Sequence, residues 1–202
     1  MATMTYGTTW GAKSGGGADV AISHIPVPGS TKGITSAQWM AQVGSSADEY
    51  IAVTQSDSKG NTYVYGITKG AIEPGRAADS NNDVFLAKYN PSGDLLWVRQ
   101  FGTAEEDDPS TQIAVGPKGE VYVSGYTYGA FPGRTRAGSS RNSDVFVAKF
   151  TTNGALSWVQ EVGSENNDQA WGLAVAGNGD AYRGGRECCS VVDRSEERRV
   201  GK

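Results

Sequence analysis

The feature that most constrains this chain is a run of sequence that occurs twice at a fixed separation. Asp83-Val84-Phe85-Leu86-Ala87-Lys88-Tyr89 leads through a turn into Leu95-Leu96-Trp97-Val98-Arg99-Gln100. Asp144-Val145-Phe146-Val147-Ala148-Lys149-Phe150 leads through a turn into Leu156-Ser157-Trp158-Val159-Gln160. Asp83 and Asp144 stand 61 residues apart, as do Trp97 and Trp158. A constant period of this size marks a repeat array, in which neighbouring copies complete one another's core.

Weaker copies flank the pair. Trp39 aligns with the two later tryptophans, and Tyr50-Ile51-Ala52-Val53 answers Gln112-Ile113-Ala114-Val115 and Gly172-Leu173-Ala174-Val175. Gly60–Gly66 answers Gly119–Gly125 and Gly179–Gly185, while Tyr6–Gly11 looks like Tyr65–Gly70 and Asp19–Ile22 like Asp83–Leu86. The array runs from about Thr5 to Gly185.

Each period reads as four short strands. Val121 and Val123 alternate with Tyr122 and Ser124, the pattern of a half-buried strand, and no window keeps a helical stripe. Asn90–Asp94, Thr151–Gly154, Ser58–Asn61 and Asn178–Asp180 each place Gly where a tight hairpin needs positive φ. Gly is 28 of 202 residues, about twice the usual share, and hairpins and loops account for it. The longer links, Gly70–Asn82 and Gly129–Ser143, carry Pro74-Gly75 and Pro132-Gly133 and read as exposed loops. The expected class is all-β, with four-stranded antiparallel sheets of the β-propeller kind.

The combination Asp-Val-Phe-Val-Ala-Lys-Phe, Asn-Gly, Trp, an acidic loop, then Gly-Glu-Val-Tyr-Val-Ser-Gly-Tyr-Thr resembles the bacterial β-propeller repeat known as the SBBP repeat, most strongly over 81–133. The resemblance implies a four-stranded blade in a multi-bladed propeller on exported or surface-associated bacterial proteins. It brings no catalytic residue set. By analogy with other propellers, 113–115 is the innermost strand, 121–126 the second, 144–150 the third and 156–160 the outer one. The blades then divide as a partial blade 5–44, whole blades 49–102 and 111–163, and a partial blade 170–185. A closed ring needs more blades than this, so a fragment of a larger array is expected.

After Gly185 the repeat stops. Arg186-Glu187-Cys188-Cys189 replaces the expected strand, and 194–202 resembles the translation of a sequencing-library adapter, so 186–202 is read as an artefactual tail. Both cysteines fall there and carry no weight about redox compartment. Net charge is −4 with Lys and Arg scattered, which points away from nucleic acid, and no apolar run approaches the twenty residues of a membrane span. Met1–Tyr6 has neither the basic nor the apolar region of a signal peptide.

Candidate chemistry is sparse. The acidic loops Gly44–Glu49, Gly102–Asp108 and Gly163–Asp168 offer oxygen ligands suited to calcium, but their spacing varies, and Asp and Asn equally favour turns without an ion. Trp39, Trp97 and Trp158 repeat at one strand position, which fits packing between neighbouring blades better than a carbohydrate platform. Trp10 and Trp171 lie off that register. His24 is the single histidine, so no histidine-based triad or multi-histidine metal centre can be built from this chain. Lys88 and Lys149 share one phase and read as solvated or snorkelling lysines; Asp107 and Asp108 are neighbours on a turn, a weak acid–base signal.

No catalytic, cofactor-binding or metal-binding residues are therefore expected. The expected function is a non-enzymatic interaction or structural module taking a protein or carbohydrate through its loops, at the cell surface or outside the cell. The alternatives are a propeller hydrolase or quinoprotein-like oxidoreductase, which Gly93–Trp97 loosely resembles, and a calcium-dependent adhesion module.

Overall fold

In the computed structural model the described residues are 17–25, 39–77, 81–136 and 141–186, together with the backbone of 2–6. Among them there is no helix. The strands in chain order are β1 (Ala2–Tyr6), β2 (Ala18–His24), β3 (Trp39–Val43), β4 (Glu49–Ser56), β5 (Thr62–Thr68), β6 (Asp83–Tyr89) and β7 (Leu95–Phe101). They continue with β8 (Asp107–Val115), β9 (Val121–Thr127), β10 (Asp144–Phe150), β11 (Leu156–Val162), β12 (Gln169–Val175) and β13 (Ala181–Arg186). Two sheets are complete four-stranded meanders, β4-β5-β6-β7 and β8-β9-β10-β11; β1-β2-β3 and β12-β13 hold three and two strands. Each strand pair with an assigned register is antiparallel. The expected all-β class stands.

One hairpin design explains the regularity. At Asp57–Asn61, Asn90–Asp94, Gly116–Glu120, Thr151–Ala155 and Ala176–Asp180, the first residue's N–H donates to the fifth residue's carbonyl. The fourth residue, always Gly, donates back to the first residue's carbonyl over 2.9–3.0 Å. Those glycines have φ between +81° and +89°, the left-handed bulge that follows a tight turn in a short hairpin. Where the first residue is Asp57 or Asn90, its Oδ1 also accepts two backbone N–H bonds, which fixes the turn further.

Contacts group the chain into two units, Met1–Ser80 with Phe85–Gln100, and Asn81–Val84 with Phe101–Lys202. In the first, β1 and β2 lie against β4, and the core gathers Val20, Ile22, Val43, Val64, Ile72, Phe85, Ala87, Tyr89 and Val98. In the second, β12 lies against β8 and β9. There Phe101 meets Phe146 and Phe150 edge-on at 6.1 and 4.9 Å, and Phe131 meets Phe146 at 5.3 Å. Such edge-to-face aromatic clusters add to area burial.

The structure corrects two alignments. Ser56 pairs with Thr62, as Val115 pairs with Val121 and Val175 with Ala181. Thr54-Gln55-Ser56, and not Ile51-Ala52-Val53, therefore stands level with Ile113-Ala114-Val115. The first strands carry irregularities between Ile51 and Val53 and between Pro109 and Ile113, so apolar residues drift along them. Thr5 also pairs with Asp19 as Thr127 pairs with Asp144. Tyr6-Gly7 thus matches Tyr128-Gly129, four residues from the alignment with Tyr65-Gly66.

Candidate functional site

One carboxylate of each acidic loop faces inward. At Gly44–Glu49 the buried carboxylate of Glu49 accepts from the Ser45 N–H at 2.9 Å, from the Ser45 hydroxyl, and from Thr68 Oγ1 at 2.7 Å. At Gly102–Asp108, fully buried Asp107 accepts from the Thr103 N–H at 2.6 Å and from Thr103 Oγ1 at 3.2 Å. At Gly163–Asp168, fully buried Asp168 accepts from the Ser164 N–H at 2.6 Å and from Ser164 Oγ at 3.2 Å. The same hydroxyls then accept from the N–H of Ala47, Glu105 and Asn166. A Ser or Thr four residues before a carboxylate thus caps the start of β4, β8 and the segment leading into β12.

A second buried carboxylate stands beside each cap. Asp83 and Asp144 are the first residues of β6 and β10 and Asp19 the second of β2, and all three are at most 1 % exposed. A Cβ on Gly44, Gly102 or Gly163 would fall 1.8–2.3 Å from their Oδ1 atoms. Gln42 Nε2 donates to Asp19 Oδ2 at 2.6 Å, and Arg136 Nε lies 3.8 Å from Asp144 Oδ2. Of the remaining acids of the loops, Glu105, Glu106 and Glu165 are exposed, while Asp48 and Asp108 are partly buried and Asp48 Oδ1 accepts from the Ala18 N–H at 2.8 Å. Among the described residues no three His, Cys, Asp or Glu side chains are grouped to hold a metal ion. The cap carboxylates Glu49, Asp107 and Asp168 are held by N–H and O–H donors, so turn capping accounts for these three of the repeated acids.

Burial pushes the Asp107 carboxyl up to about 7; the Thr103 and Thr127 hydrogen bonds pull it down and nearby Asp83 adds to the rise. Burial likewise raises Glu49 and Glu161. Between the ordinary carboxylate value and about 7 the folded chain holds a proton that the unfolded chain has released. The contribution of Asp107 to stability is therefore fully present in acid and is lost as pH rises through that window. Asp107→Asn keeps an acceptor for the Thr103 N–H and never ionises. Its loss of stability from pH 4 to pH 8 should be smaller than wild type by about 1–3 kcal/mol in urea titrations. Parallel curves for the two proteins would remove this assignment.

The long links are pinned at their near ends. Glu73-Pro74-Gly75-Arg76 and Phe131-Pro132-Gly133-Arg134 are β-turns with Gly75 at φ +85° and Gly133 at φ +77°. Ile72 N–H donates to Gln100 Oε1 at 2.9 Å, and Phe131 N–H donates to Glu161 Oε1. Arg76 and Arg134 donate to the carbonyls of Gln100 and Val159 at 3.0 and 2.8 Å. Ile72 and Phe131 are buried. These stretches cap the ends of β7 and β11, contrary to the reading of wholly exposed loops; residues 78–80 and 137–140 lie outside the described residues.

The repeated aromatics form packing columns. Trp97 is 6.3 Å from Tyr63, Trp158 is 6.1 Å from Tyr122, and Trp39 stacks on Tyr89 at 6.4 Å while donating Nε1–H to Pro91 O. Lys88 is buried with Nζ 5.2 Å over Tyr63, and Lys149 Nζ sits 5.0 Å over Tyr122 and 3.4 Å from Glu120. Lys88 is thus a buried cation over an aromatic face and not a solvated lysine. His24 ends β2 half-buried, 5.8 Å from Trp39. Partly buried Asp108 pairs with Tyr126, apart from the Asp107 cap in its partners. Trp171 on β12 is 61 % exposed. Trp10, Cys188, Cys189 and the 194–202 run lie outside the described residues.

The signal that sequence reading missed is the Ser/Thr-x-x-x-Asp/Glu spacing (Ser45/Glu49, Thr103/Asp107, Ser164/Asp168), visible in all three copies. No helix among the described residues is long and apolar enough to cross a membrane. No family model matches the chain. The chain is similar to the regulatory protein FlaEY of Caulobacter vibrioides, with 30 % identity over 145 residues, covering 67 % of this chain and 15 % of that relative's length.

Proposed function

We propose that this chain is a run of β-propeller blades of the SBBP-repeat kind, serving as a non-enzymatic scaffold or interaction module within a larger exported or surface-associated bacterial protein. The observation that carries this reading is the recurrence of one four-stranded antiparallel meander in β4–β7 and β8–β11. Both sheets share the same hairpins, carboxylate cap and aromatic column. On this reading β4, β8 and β12 are first strands, and the sheets β1-β2-β3 and β12-β13 supply strands two to four and one to two of further blades. The repeated polar residues are consumed in caps and turns, which favours binding over chemistry. The small share of FlaEY that the chain matches, and that protein's regulatory role, suit a module within a longer polypeptide.

The test is localisation and capture in the source cell. An epitope-tagged full-length protein should fractionate outside the cytoplasm, and crosslinking followed by mass spectrometry should trap a protein or glycan partner on residues of this array. Recovery in the cytoplasm with a turnover activity that maps to these residues would overturn the reading.

A further inference from the structure

Gln100 and Glu161 hold one position in the two complete sheets, 61 residues apart as the penultimate residues of β7 and β11. Each receives the near end of a long link. Gln100 brackets its link from both sides: Oε1 accepts from the Ile72 N–H and Nε2 donates to the Gly70 carbonyl, both at 2.9 Å. Gly129 and Phe131 are the counterparts of Gly70 and Ile72, because the Gly129 N–H donates to Thr127 Oγ1 as the Gly70 N–H does to Thr68 Oγ1, both over 3.0 Å. Gln42, three residues after Trp39, carries the amide in β3 as well, whereas β11 carries an acid.

Glu161 reproduces half of the bracket. Its Oε1 accepts from the Phe131 N–H, but Oε2, which stands in the place of the donating Nε2, is a buried atom with no hydrogen-bond partner. An ionised carboxylate would set two acceptors, Oε2 and the Gly129 carbonyl, against each other, and burial makes that costly. A carboxylic acid supplies the one missing donor. We infer that a proton on Glu161 Oε2 closes the bracket by donating to the Gly129 carbonyl, so that the Phe131–Arg134 turn is latched to β11 while the proton is present and released when it leaves. Desolvation by burial acts most strongly against ionisation and Asp144 on β10 adds to it, while Arg134 and Arg136 of the link favour it. Those two guanidinium groups are spent on the carbonyls of Val159, Tyr128 and Asn142. The folded acid is thus held above the ordinary glutamate range. Its contribution is fully present below that range and is lost as pH rises through the raised value.

Amide hydrogen exchange on the full chain, corrected for the intrinsic rate at each pH, tests the latch. Between pH 4 and pH 8 the protection of the Phe131 amide, taken relative to Tyr122 in β9, should fall by up to about tenfold for each unit by which the acid is held above an ordinary glutamate. The Ile72 amide, bracketed by the Gln100 side chain, should keep its protection relative to Val64 in β5. Glu161→Gln rebuilds the Gln100 arrangement and should hold the relative protection of Phe131 constant over the whole range. In the wild type the carboxyl carbon of Glu161 should titrate at higher pH than that of exposed Glu105. An unchanged relative protection of Phe131 in the wild type would overturn the inference. So would an equal fall in Glu161→Gln, which would place the titrating group elsewhere, or a Glu161 titration no higher than that of Glu105.

Discussion

Replacing Phe146 with alanine should cost about 3–5 kcal/mol, enough to unfold much of a marginally stable domain. The ring is fully buried and meets Phe101 and Phe131 at 6.1 and 5.3 Å. It also closes on Gly125, where a Cβ would come 2.6 Å from Phe146 Cζ and 2.2 Å from the Asp108 carbonyl. Truncation thus opens a cavity between β9, β10 and the pinned 129–134 turn, and the backbone at Gly125 has no side chain with which to fill it. Leu156 lies on the next strand but is 46 % exposed, so Leu156→Ala should change stability by only about 0.5 kcal/mol. Guanidinium titrations of both variants separate these effects. A Phe146→Ala cost below about 1 kcal/mol would mean that this cluster is not the core of its unit.

The second large effect is expected at Gly102. A methyl there would meet Asp83 Oδ1 at 2.2 Å and Asp107 Oδ2 at 2.6 Å. Neither carboxylate can simply swing away, because both are buried and Asp107 holds the Thr103 N–H. Gly102→Ala should therefore cost about 2–4 kcal/mol, combining overpacking with a broken buried cap. Asp83→Ala makes room for the methyl, so the double variant should be less destabilised than the two single costs added together. Strict additivity in that double-mutant cycle would show that the Gly102–Asp83 contact does not set the cost. Gly177, where an added Cβ would meet nothing within 4 Å, is the comparison: Gly177→Ala should be near neutral.

The four-strand grouping was legible because its signals are local. Gly60, Gly93, Gly119, Gly154 and Gly179 each occupy a turn position that needs positive φ, and Val84–Tyr89 and Val145–Phe150 keep strict strand chemistry between them. The first strands were misread by three residues, since β4 and β8 are irregular near Ala52 and Pro109 and their apolar residues do not keep a constant distance from the hairpin. The acids were legible as turn formers but not as buried groups. Hydropathy assigns Asp19, Asp83, Asp107 and Asp144 to the surface, and only the paired Ser or Thr four residues before Glu49, Asp107 and Asp168 signals an inward cap. Lys88 misled for a related reason: its burial depends on Tyr63, a partner 25 positions away that strand periodicity alone does not identify.

An experimental structure of the full-length polypeptide that contains this array would separate propeller blades from other packings of the same sheets. The expected result is that β4–β7 and β8–β11 appear as successive blades related by rotation about one axis, with β4 and β8 innermost and Asp107 buried against Thr103. Two sheets packed face to face as a sandwich, or first strands on the outer rim, would contradict it.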